Sequence, residues 1–197
     1  MCRHKPFFCF GAYLTKASTV KINESNRVSF LVRLAPYIPE RLLEAALAAA
    51  LAIEFEFFRV EALNRLAPYL TETQLREALT AAQDVENQTY RASALNGLAP
   101  YLPEGLLESA LLAALAIDDE LYRVGALGGL VPHLTDGLLG TTLSAVLAIE
   151  DEYARAKALS GLAPHLPEEY SAQLLSAAQA ITNEYWRADA LGESPPP

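Results

Sequence analysis

Cysteine is scarce in this chain: the only two among its 197 residues are Cys2 and Cys9. Two cysteines near one end cannot cross-link a chain of this length, so disulfides cannot be what stabilises the fold. Long apolar runs are missing as well, since no stretch approaches the roughly 20 residues of a membrane-spanning helix. A partial signal-peptide pattern at residues 1–14 is interrupted by Lys16 and has no clear cleavage site. We therefore expect a cytoplasmic protein with no membrane partner.

Basic residues are also few. The chain has 15 Lys and Arg against 24 Asp and Glu, which gives a net charge of −9. Binding to nucleic acid without sequence preference needs clustered basic side chains that replace the counterions of the phosphates. The same deficit disfavours binding to anionic membrane surfaces. We therefore expect no nucleic-acid partner.

Recognisable catalytic and metal-binding motifs are missing too. The chain has no glycine-rich phosphate loop, and His133 and His165 have no cysteine or serine partner at a recognisable spacing. Cys2, His4 and Cys9 have the ligand chemistry for zinc, but a fourth ligand and a paired C-x2-C are absent. We expect a protein that is not an enzyme and that binds neither a cofactor nor a metal.

The chain instead contains a repeat of constant length without insertions. An Ala-Pro pair, once Val-Pro, returns at a fixed interval, with its proline at Pro36, Pro68, Pro100, Pro132 and Pro164. An arginine keeps the same interval, at Arg27, Arg59, Arg91, Arg123, Arg155 and Arg187. A fixed period of this size is typical of an array of stacked units. Hydrophobic residues make up 52 % of the chain, enough for such an array to bury a core.

Each unit is predicted to hold two helices. The first, here called the arginine helix, begins at an Asn or Asp cap, continues with Glu or Gln, and ends at the Ala-Pro pair. The second, here called the leucine-alanine helix, begins at a Pro or Thr and carries Leu and Ala at helical spacing. Thr71 with Gln74 has the spacing of a capping box.

The apolar columns of these helices are predicted to form the core. In the arginine helices they are Leu31/Leu34, Leu63/Leu66, Leu95/Leu98, Leu127/Leu130 and Leu159/Leu162. In the leucine-alanine helices they are Leu43/Leu75/Leu107/Leu139, Leu47/Leu79/Leu111/Leu143/Leu175 and Ala49/Ala81/Ala113/Ala145/Ala177. The predicted fold is all-α: a right-handed α-solenoid of about eleven helices in stacked antiparallel hairpins. The array covers residues 23–191, after a non-repeat segment or cap at 1–22 and before a Pro-rich tail at 192–197.

The arginine helix resembles a helix of HEAT-type repeats. Asp119, Arg123, Ala126 and Leu130 form the pattern Asp-x3-Arg-x2-Ala-x3-Leu, and residues 151–162 repeat it in full. The Ala-Pro ending is not a usual HEAT feature, and Phe55 replaces the acidic residue. The unit length is near that of tetratricopeptide repeats, but that family's Trp and Leu-Gly-x2-Tyr positions are absent. The resemblance implies that the leucine-alanine helix comes first in each unit and that the arginine helices line the concave side.

Two function classes are compatible with this resemblance. The first is a non-catalytic protein-binding scaffold, or the sensor arm of a larger signalling system, since the unit is similar to helical arrays attached to bacterial signalling NTPases. The alternative is an enzyme-associated HEAT-like helper, such as a pigment-attachment lyase subunit. We favour the scaffold because no polar residues that break the repeat are grouped as catalysis would require. No oligomeric state is predicted.

The recurrent polar residues are more consistent with packing than with binding. An arginine in every unit, accompanied by Glu or Gln, favours a structural ladder over an anion-binding one. The column of Tyr37, Tyr69, Tyr101, His133 and His165 is expected to pack over the elbow after each proline, and the alternative is that it lines a groove.

Binding is expected where the repeat varies, on the exposed face of the arginine helices. Two columns that lie one helical turn apart share that face, opposite the buried leucines. Their polar members are the predicted binding residues: Glu61, Asn64, Ser93, Asn96, Lys157, Ser160 and Asp189. The expected ligand is a protein or peptide segment. The alternatives are a solvated face without a ligand and a site on the leucine-alanine helices.

Overall fold

The computed structural model of the protein describes residues 24–192, which form eleven α-helices and no strand. The helices are α1 (Glu24–Leu34), α2 (Leu43–Leu51), α3 (Glu56–Leu66), α4 (Glu72–Gln83), α5 (Gln88–Leu98), α6 (Glu104–Leu115), α7 (Glu120–Leu130), α8 (Asp136–Leu147), α9 (Glu152–Leu162), α10 (Ser171–Gln179) and α11 (Glu184–Leu191). The predicted all-α class and number of helices are confirmed. The right-handed twist of the array stays a prediction, and the non-repeat segment at 1–22 and the tail from 193 onward lie outside the described residues.

The helices form two layers. The odd-numbered helices α1 to α11 are the arginine helices, and the even-numbered helices α2 to α10 are the leucine-alanine helices. Short connections join consecutive helices, and each leucine-alanine helix packs on the arginine helix that follows it, as antiparallel hairpins do. Each arginine helix also packs on the arginine helices before and after it, and more closely than neighbouring leucine-alanine helices do. That the arginine helices line the concave side of the array stays a prediction.

The Ala-Pro pair ends each arginine helix, as predicted. Helix α3 stops at Leu66, and Ala67–Tyr69 follow as a single turn of 3-10 helix with Pro68 in its middle. Proline has no backbone N–H to continue the α-helical bonding. The chain then becomes extended at Leu70, where φ is −76° and ψ is 144°. The same 3-10 turn follows α1, α5, α7 and α9, so every elbow has one shape.

The predicted caps of α5, α7, α9 and α11 are present, and the cap predicted for α1 lies outside the described residues. The side-chain oxygens of four residues accept hydrogen bonds from backbone N–H groups of the first helical turn: Asn87, Asp119, Asp151 and Asn183. Thr71 and Gln74 form the complete capping box, which fixes the start of α4. Phe55 makes no such bond, and its own backbone N–H donates to Glu24 Oε2 at 3.0 Å.

The first-turn glutamate of α1, α3, α7 and α9 reaches the following unit, which the sequence pattern did not predict. Glu120 Oε1 accepts the N–H of Glu150 at 3.0 Å, and Glu120 Oε2 accepts the N–H of Asp151 at 2.9 Å. We call this pair of bonds the glutamate latch. It recurs at Glu24, Glu56 and Glu152, and Gln88 makes one of the two bonds with its amide oxygen. The latch joins each unit to the turn before the next arginine helix.

The predicted leucine columns form one continuous core, with corrections at its ends. None of Leu63, Leu66, Leu95, Leu98, Leu127, Leu130, Leu159 and Leu162 is more than 3 % exposed. Leu175 was predicted to be buried, but it is 48 % exposed because α10 is the last leucine-alanine helix of the described residues and nothing stacks on it. Leu34 of α1, at the other end of the described array, is only half-buried.

The predicted alanine column needs a further correction. Its members Ala49, Ala81, Ala113, Ala145 and Ala177 are only half-buried. The buried small residues lie one position later, at Ala50, Ala82, Ala114 and Ala178. One position corresponds to about 100° around the helix axis, so it is Ala50 and its equivalents that share the buried face with Leu43 and Leu47.

Candidate binding groove

Four of the seven predicted binding residues lie together. Glu61 and Asn64 project from α3, and Ser93 and Asn96 from α5, and all four line one groove on the layer of arginine helices. The groove has a volume of about 570 Å³ and is open to solvent along the array. Ser93 and Asn96 are exposed, whereas Glu61 and Asn64 are half-buried. The variable columns of the repeat therefore meet in space at this point.

The groove has aromatic ends and a polar floor. Phe57 and Tyr90 stand at the end where the arginine helices begin, with their ring centroids 5.8 Å apart. Tyr101 closes the other end, next to Pro100 of the elbow. Thr89, Ser93 and Gly97 have small side chains, so the surface of α5 stays low between the aromatic walls.

The floor is held together by an amide that packs on a glycine. Asn64 Nδ2 donates to the backbone oxygen of Ser93 at 3.1 Å, which fixes the side chain across the two helices. A Cβ atom at Gly97 would collide with the Asn64 amide, so only glycine lets α3 and α5 approach this closely. The same relation recurs one unit later, where a Cβ at Gly129 would collide with Asn96. Gly97 and Gly129 are therefore packing residues, whereas a Cβ at Gly161 of the same column would meet open space.

Two opposite charges border the groove. Glu61 and Arg65 are the charged side chains among its lining residues, one turn apart on α3. Neither forms an ion pair with another residue of the described range 24–192. The groove thus offers a ligand one carboxylate and one guanidinium without first breaking an ion pair.

The other three predicted residues lie elsewhere. Ser160 is exposed on α9. Lys157 of α9 is held by Asp189 of α11, with Lys157 Nζ 3.0 Å from Asp189 Oδ2, and the hydrogen bond to Asp189 raises the pKa of Lys157. Lys157 also lines a separate cavity of about 100 Å³ between α7 and α9. The cavity is open because Gly128 and Gly161 have no side chains to fill it. The structure does not bring these residues to the groove, and whether they bind a ligand stays a prediction.

The sequence pattern did not draw attention to the aromatic residues of this face. Phe57 lies four positions before Glu61, so the two share a helix face. Its column in the repeat includes Leu121, Tyr153 and Tyr185, which are all at least 36 % exposed. Tyr153 stacks near Trp186 of the next unit, with centroids 4.6 Å apart. The available signal was this column of large side chains one helical turn before the variable polar column.

The arginine column is structural in the described units. Arg123 Nη1 donates to the backbone oxygen of Ile117 at 3.0 Å, and Nη2 lies 3.3 Å from Glu120 Oε1. Equivalent bonds to the turn before the helix are made by Arg59, Arg91, Arg155 and Arg187. Because the guanidinium groups cap the carbonyl oxygens of the preceding turn, they are occupied within their own hairpin. These contacts support the structural interpretation over an anion-binding ladder.

The tyrosines and histidines that follow the prolines do not all have the same surroundings. Tyr101 is 41 % exposed and forms a groove wall, and Tyr69 is 39 % exposed. His133 and His165 are exposed at the equivalent elbows. Tyr37, which is 69 % exposed, lines a second groove at α1. Two members of this column therefore line grooves, which was the less favoured of the two interpretations.

Metal-binding chemistry is not assembled in residues 24–192, where no three His, Cys, Asp or Glu side chains converge. The candidates Cys2, His4 and Cys9 lie outside the described residues. Among the helices that the structure describes, none has the length and apolar character to cross a membrane.

Comparison of the chain with protein-family models, with curated proteins and with solved structures gives no match. The groove and its chemistry are therefore the basis on which function is inferred.

Proposed function

We propose that the chain is a non-catalytic, cytoplasmic HEAT-like scaffold that binds an extended segment of a partner protein in the groove between α3 and α5. The observation that carries the proposal is a convergence. Glu61, Asn64, Ser93 and Asn96 stand in columns where the repeat varies, and they line one groove together. Repeat arrays bind partners on extended surfaces built from several units, and these four residues come from two successive units.

The chemistry of the groove suits a peptide. Serine and asparagine side chains supply both donors and acceptors, which an extended backbone can use. Phe57, Tyr90 and Tyr101 supply rigid apolar area for side chains of the ligand, and aromatic residues dominate the energetics of many interfaces. Because Glu61 and Arg65 carry opposite charges, the preferred segment carries a basic and an acidic residue one helical turn of α3 apart, about 6 Å. A scaffold or the sensor arm of a larger signalling system would use such a site in the same way.

The test begins with a library of random linear peptides displayed on phage and selected on the immobilised chain. Selected peptides are synthesised, and their Kd values are measured by calorimetry. Ser93→Arg fills the floor of the groove and is expected to weaken binding by about tenfold or more. Ser144→Arg is the matched control, because Ser144 is an exposed serine on α8 in the other layer. Equal Kd values for the two variants would contradict the proposal.

Charge reversal then maps the extent of the site. Glu61→Lys is expected to weaken the binding of peptides that carry a basic residue and to leave neutral peptides unaffected. Lys157→Glu should leave the Kd unchanged, because Lys157 is paired with Asp189 two units away from the groove. If Ser93→Arg and Glu61→Lys both leave the Kd of peptides with a basic residue unchanged, the ligand site lies on another face, and the leucine-alanine helices are then the next candidates.

A further inference from the structure

Two pairs of neighbouring arginine helices make the same kind of aromatic contact. Between α3 and α5 it joins Phe57 to Tyr90, with ring centroids 5.8 Å apart and 58° between the ring planes. Between α9 and α11 it joins Tyr153 to Trp186, with centroids 4.6 Å apart and again 58° between the planes. The second contact lies three units after the first, at equivalent positions of the repeat. Among residues 24–192, no other two successive arginine helices have aromatic residues at both positions.

The contact between α9 and α11 holds a cation that belongs to the chain itself. Lys157 Nζ lies 6.0 Å from the centre of the Tyr153 ring and 3.0 Å from Asp189 Oδ2. The faces of aromatic rings are electron-rich and attract cations, and a neighbouring carboxylate adds to the attraction. This site therefore combines an aromatic pair, a carboxylate and an ammonium group.

The equivalent site between α3 and α5 has an aromatic pair and a carboxylate but no cation of its own. Glu61 stands in the column of Lys157, and Ser93 stands in the column of Asp189. Phe57 is 52 % exposed, so much of its ring is accessible from the groove. Glu61 lies one turn after Phe57 on α3 and forms no ion pair within the described part of the chain. A cation that completes this site therefore has to come from a ligand.

We infer that the end of the groove at Phe57 and Tyr90 binds the ammonium group of a lysine side chain in the bound segment. The inference rests on the proposed function, because it assigns one side chain of the ligand to one part of that groove. An ammonium group has three N–H donors and no acceptor, and the Glu61 carboxylate and the Ser93 hydroxyl supply acceptors beside the rings. The cation at the equivalent site is the ammonium of Lys157, which favours lysine over arginine.

The charges along the groove place the lysine at this end and not at the other. Glu61 is the only carboxylate among the residues that line the groove, and it lies one turn from Phe57. Arg65 lies one turn further toward the end of α3. A lysine of the ligand is attracted at the first position and repelled at the second. The bound segment therefore has one preferred direction along α3.

A small cation tests the site without a peptide. n-Butylammonium chloride, which has the end group of a lysine side chain, is titrated into the chain at constant ionic strength, and the ring signals of Phe57 and Tyr90 are followed by NMR. We expect saturable shifts of both rings, and no such shifts with 1-butanol. Glu61→Gln should weaken the binding by about threefold or more, whereas Glu77→Gln, which removes an equal charge from the exposed face of α4, should not. Circular dichroism confirms that each variant is folded.

The outcomes that overturn the proposal are specific. Absence of saturable shifts in both rings, or equal losses for Glu61→Gln and Glu77→Gln, excludes an ammonium site at this position. Tighter binding of n-butylguanidinium than of n-butylammonium would assign the site to arginine instead of lysine.

The site between α9 and α11 provides an internal control. Trp186 is the only tryptophan of the chain, so its indole N–H signal is unique. It should not respond to n-butylammonium in the unsubstituted chain, because Lys157 already supplies the cation there. In Lys157→Ala the aromatic pair and Asp189 remain without that cation, and the indole signal should then respond. No response in Lys157→Ala would mean that the two sites are not equivalent, and the argument from one to the other would be wrong.

Peptides separate a failure of this inference from a failure of the proposed function. The peptides selected by phage display are expected to share a lysine, and its replacement by norleucine, which keeps the apolar stem and removes the charge, should raise the Kd by about tenfold. If the selected peptides share no lysine, or the Kd is unchanged while Ser93→Arg still weakens binding, the segment lies in the groove and the lysine assignment is wrong. If no peptide binds while n-butylammonium shifts both rings, the cation site stands and the proposed function fails.

Discussion

Replacing Glu120 by alanine opens one latch in the middle of the array. The two bonds that are lost join Glu120 to the backbone N–H groups of Glu150 and Asp151, at 3.0 Å and 2.9 Å. The contact between Glu120 and Arg123 is lost as well. None of the buried leucines between α7 and α9 is altered, so the substitution tests the latch apart from the core.

The expected cost follows from these contacts. A hydrogen bond to a charged group contributes about 1.5–3 kcal/mol, so two such bonds would give about 3–6 kcal/mol if they were buried. The Glu120 side chain is 25 % exposed, and the freed N–H groups lie in a surface turn where water can bind them. We therefore expect a loss of about 2–3 kcal/mol in the free energy of unfolding. Glu120→Gln should lose about half of that, because one amide oxygen still accepts, as at Gln88.

The array contains its own control for this experiment. Glu184→Ala removes the same residue type from the same position of a helix, including its interaction with the helix dipole, but no latch is closed there in the described residues. Urea unfolding followed by circular dichroism gives both free energies. Glu184→Ala is expected to cost less than about 1 kcal/mol. If Glu120→Ala and Glu184→Ala lower the stability equally, the latch contributes nothing and the inter-unit argument is wrong.

Three further outcomes can be checked on the same protein. Gly161→Ala should raise the free energy of unfolding by about 0.5–1 kcal/mol, since a Cβ there meets open space, whereas Gly129→Ala should lower it by about 1–3 kcal/mol, since a Cβ would collide with Asn96. Leu127→Ala should lower it by about 2–5 kcal/mol, because this side chain is only 3 % exposed, and a loss near zero in urea would mean that the packed face has been misplaced. The latch bonds that Glu152 accepts from backbone N–H groups lower the pKa of its carboxyl in the folded state. The contribution of Glu152 to the free energy of unfolding is therefore present at neutral pH and is lost as the pH falls through that lowered pKa. Thermal melting against pH should show a smaller acid loss for Glu152→Gln than for the unsubstituted chain.

The architecture could be predicted because the repeat supplies the same information several times. A leucine column that recurs in every unit indicates a buried position even when one unit departs from the pattern. The caps and the proline elbows are local signals, and these were confirmed in detail at Thr71 and at Ala67–Tyr69. The failure at Leu175 has a physical cause, because burial in a stack is provided by the neighbouring unit and the last described unit has none.

The candidate groove could be predicted only in part. Glu61, Asn64, Ser93 and Asn96 are variable positions on one helix face, and helical spacing is sufficient to group them. The depth of the groove depends on how high Phe57, Tyr90 and Tyr101 stand above the floor, and on how closely α3 approaches α5. These quantities depend on the distance between helices, which the pattern within one helix does not contain.

The latch was missed for a different reason, which lies in the regularity of the chain itself. In a strictly periodic sequence, every unit has the same residues at the same positions. The sequence therefore cannot distinguish a contact within one unit from the equivalent contact between two adjacent units. Glu120 beside Arg123 therefore suggested only local pairing, although the carboxylate binds residues 30 and 31 positions later as well. Departures from the period remove this ambiguity.

The departures in this chain occur as pairs of a large and a small residue. Asn64 with Gly97 and Asn96 with Gly129 are such pairs, each offset by one period and one position. Where both partners are glycine, at Gly128 and Gly161, a hollow of about 100 Å³ remains. A large residue paired with a glycine 33 positions later therefore indicates in the sequence which helices are in contact. The positions that vary from unit to unit carry this information, and the constant positions do not.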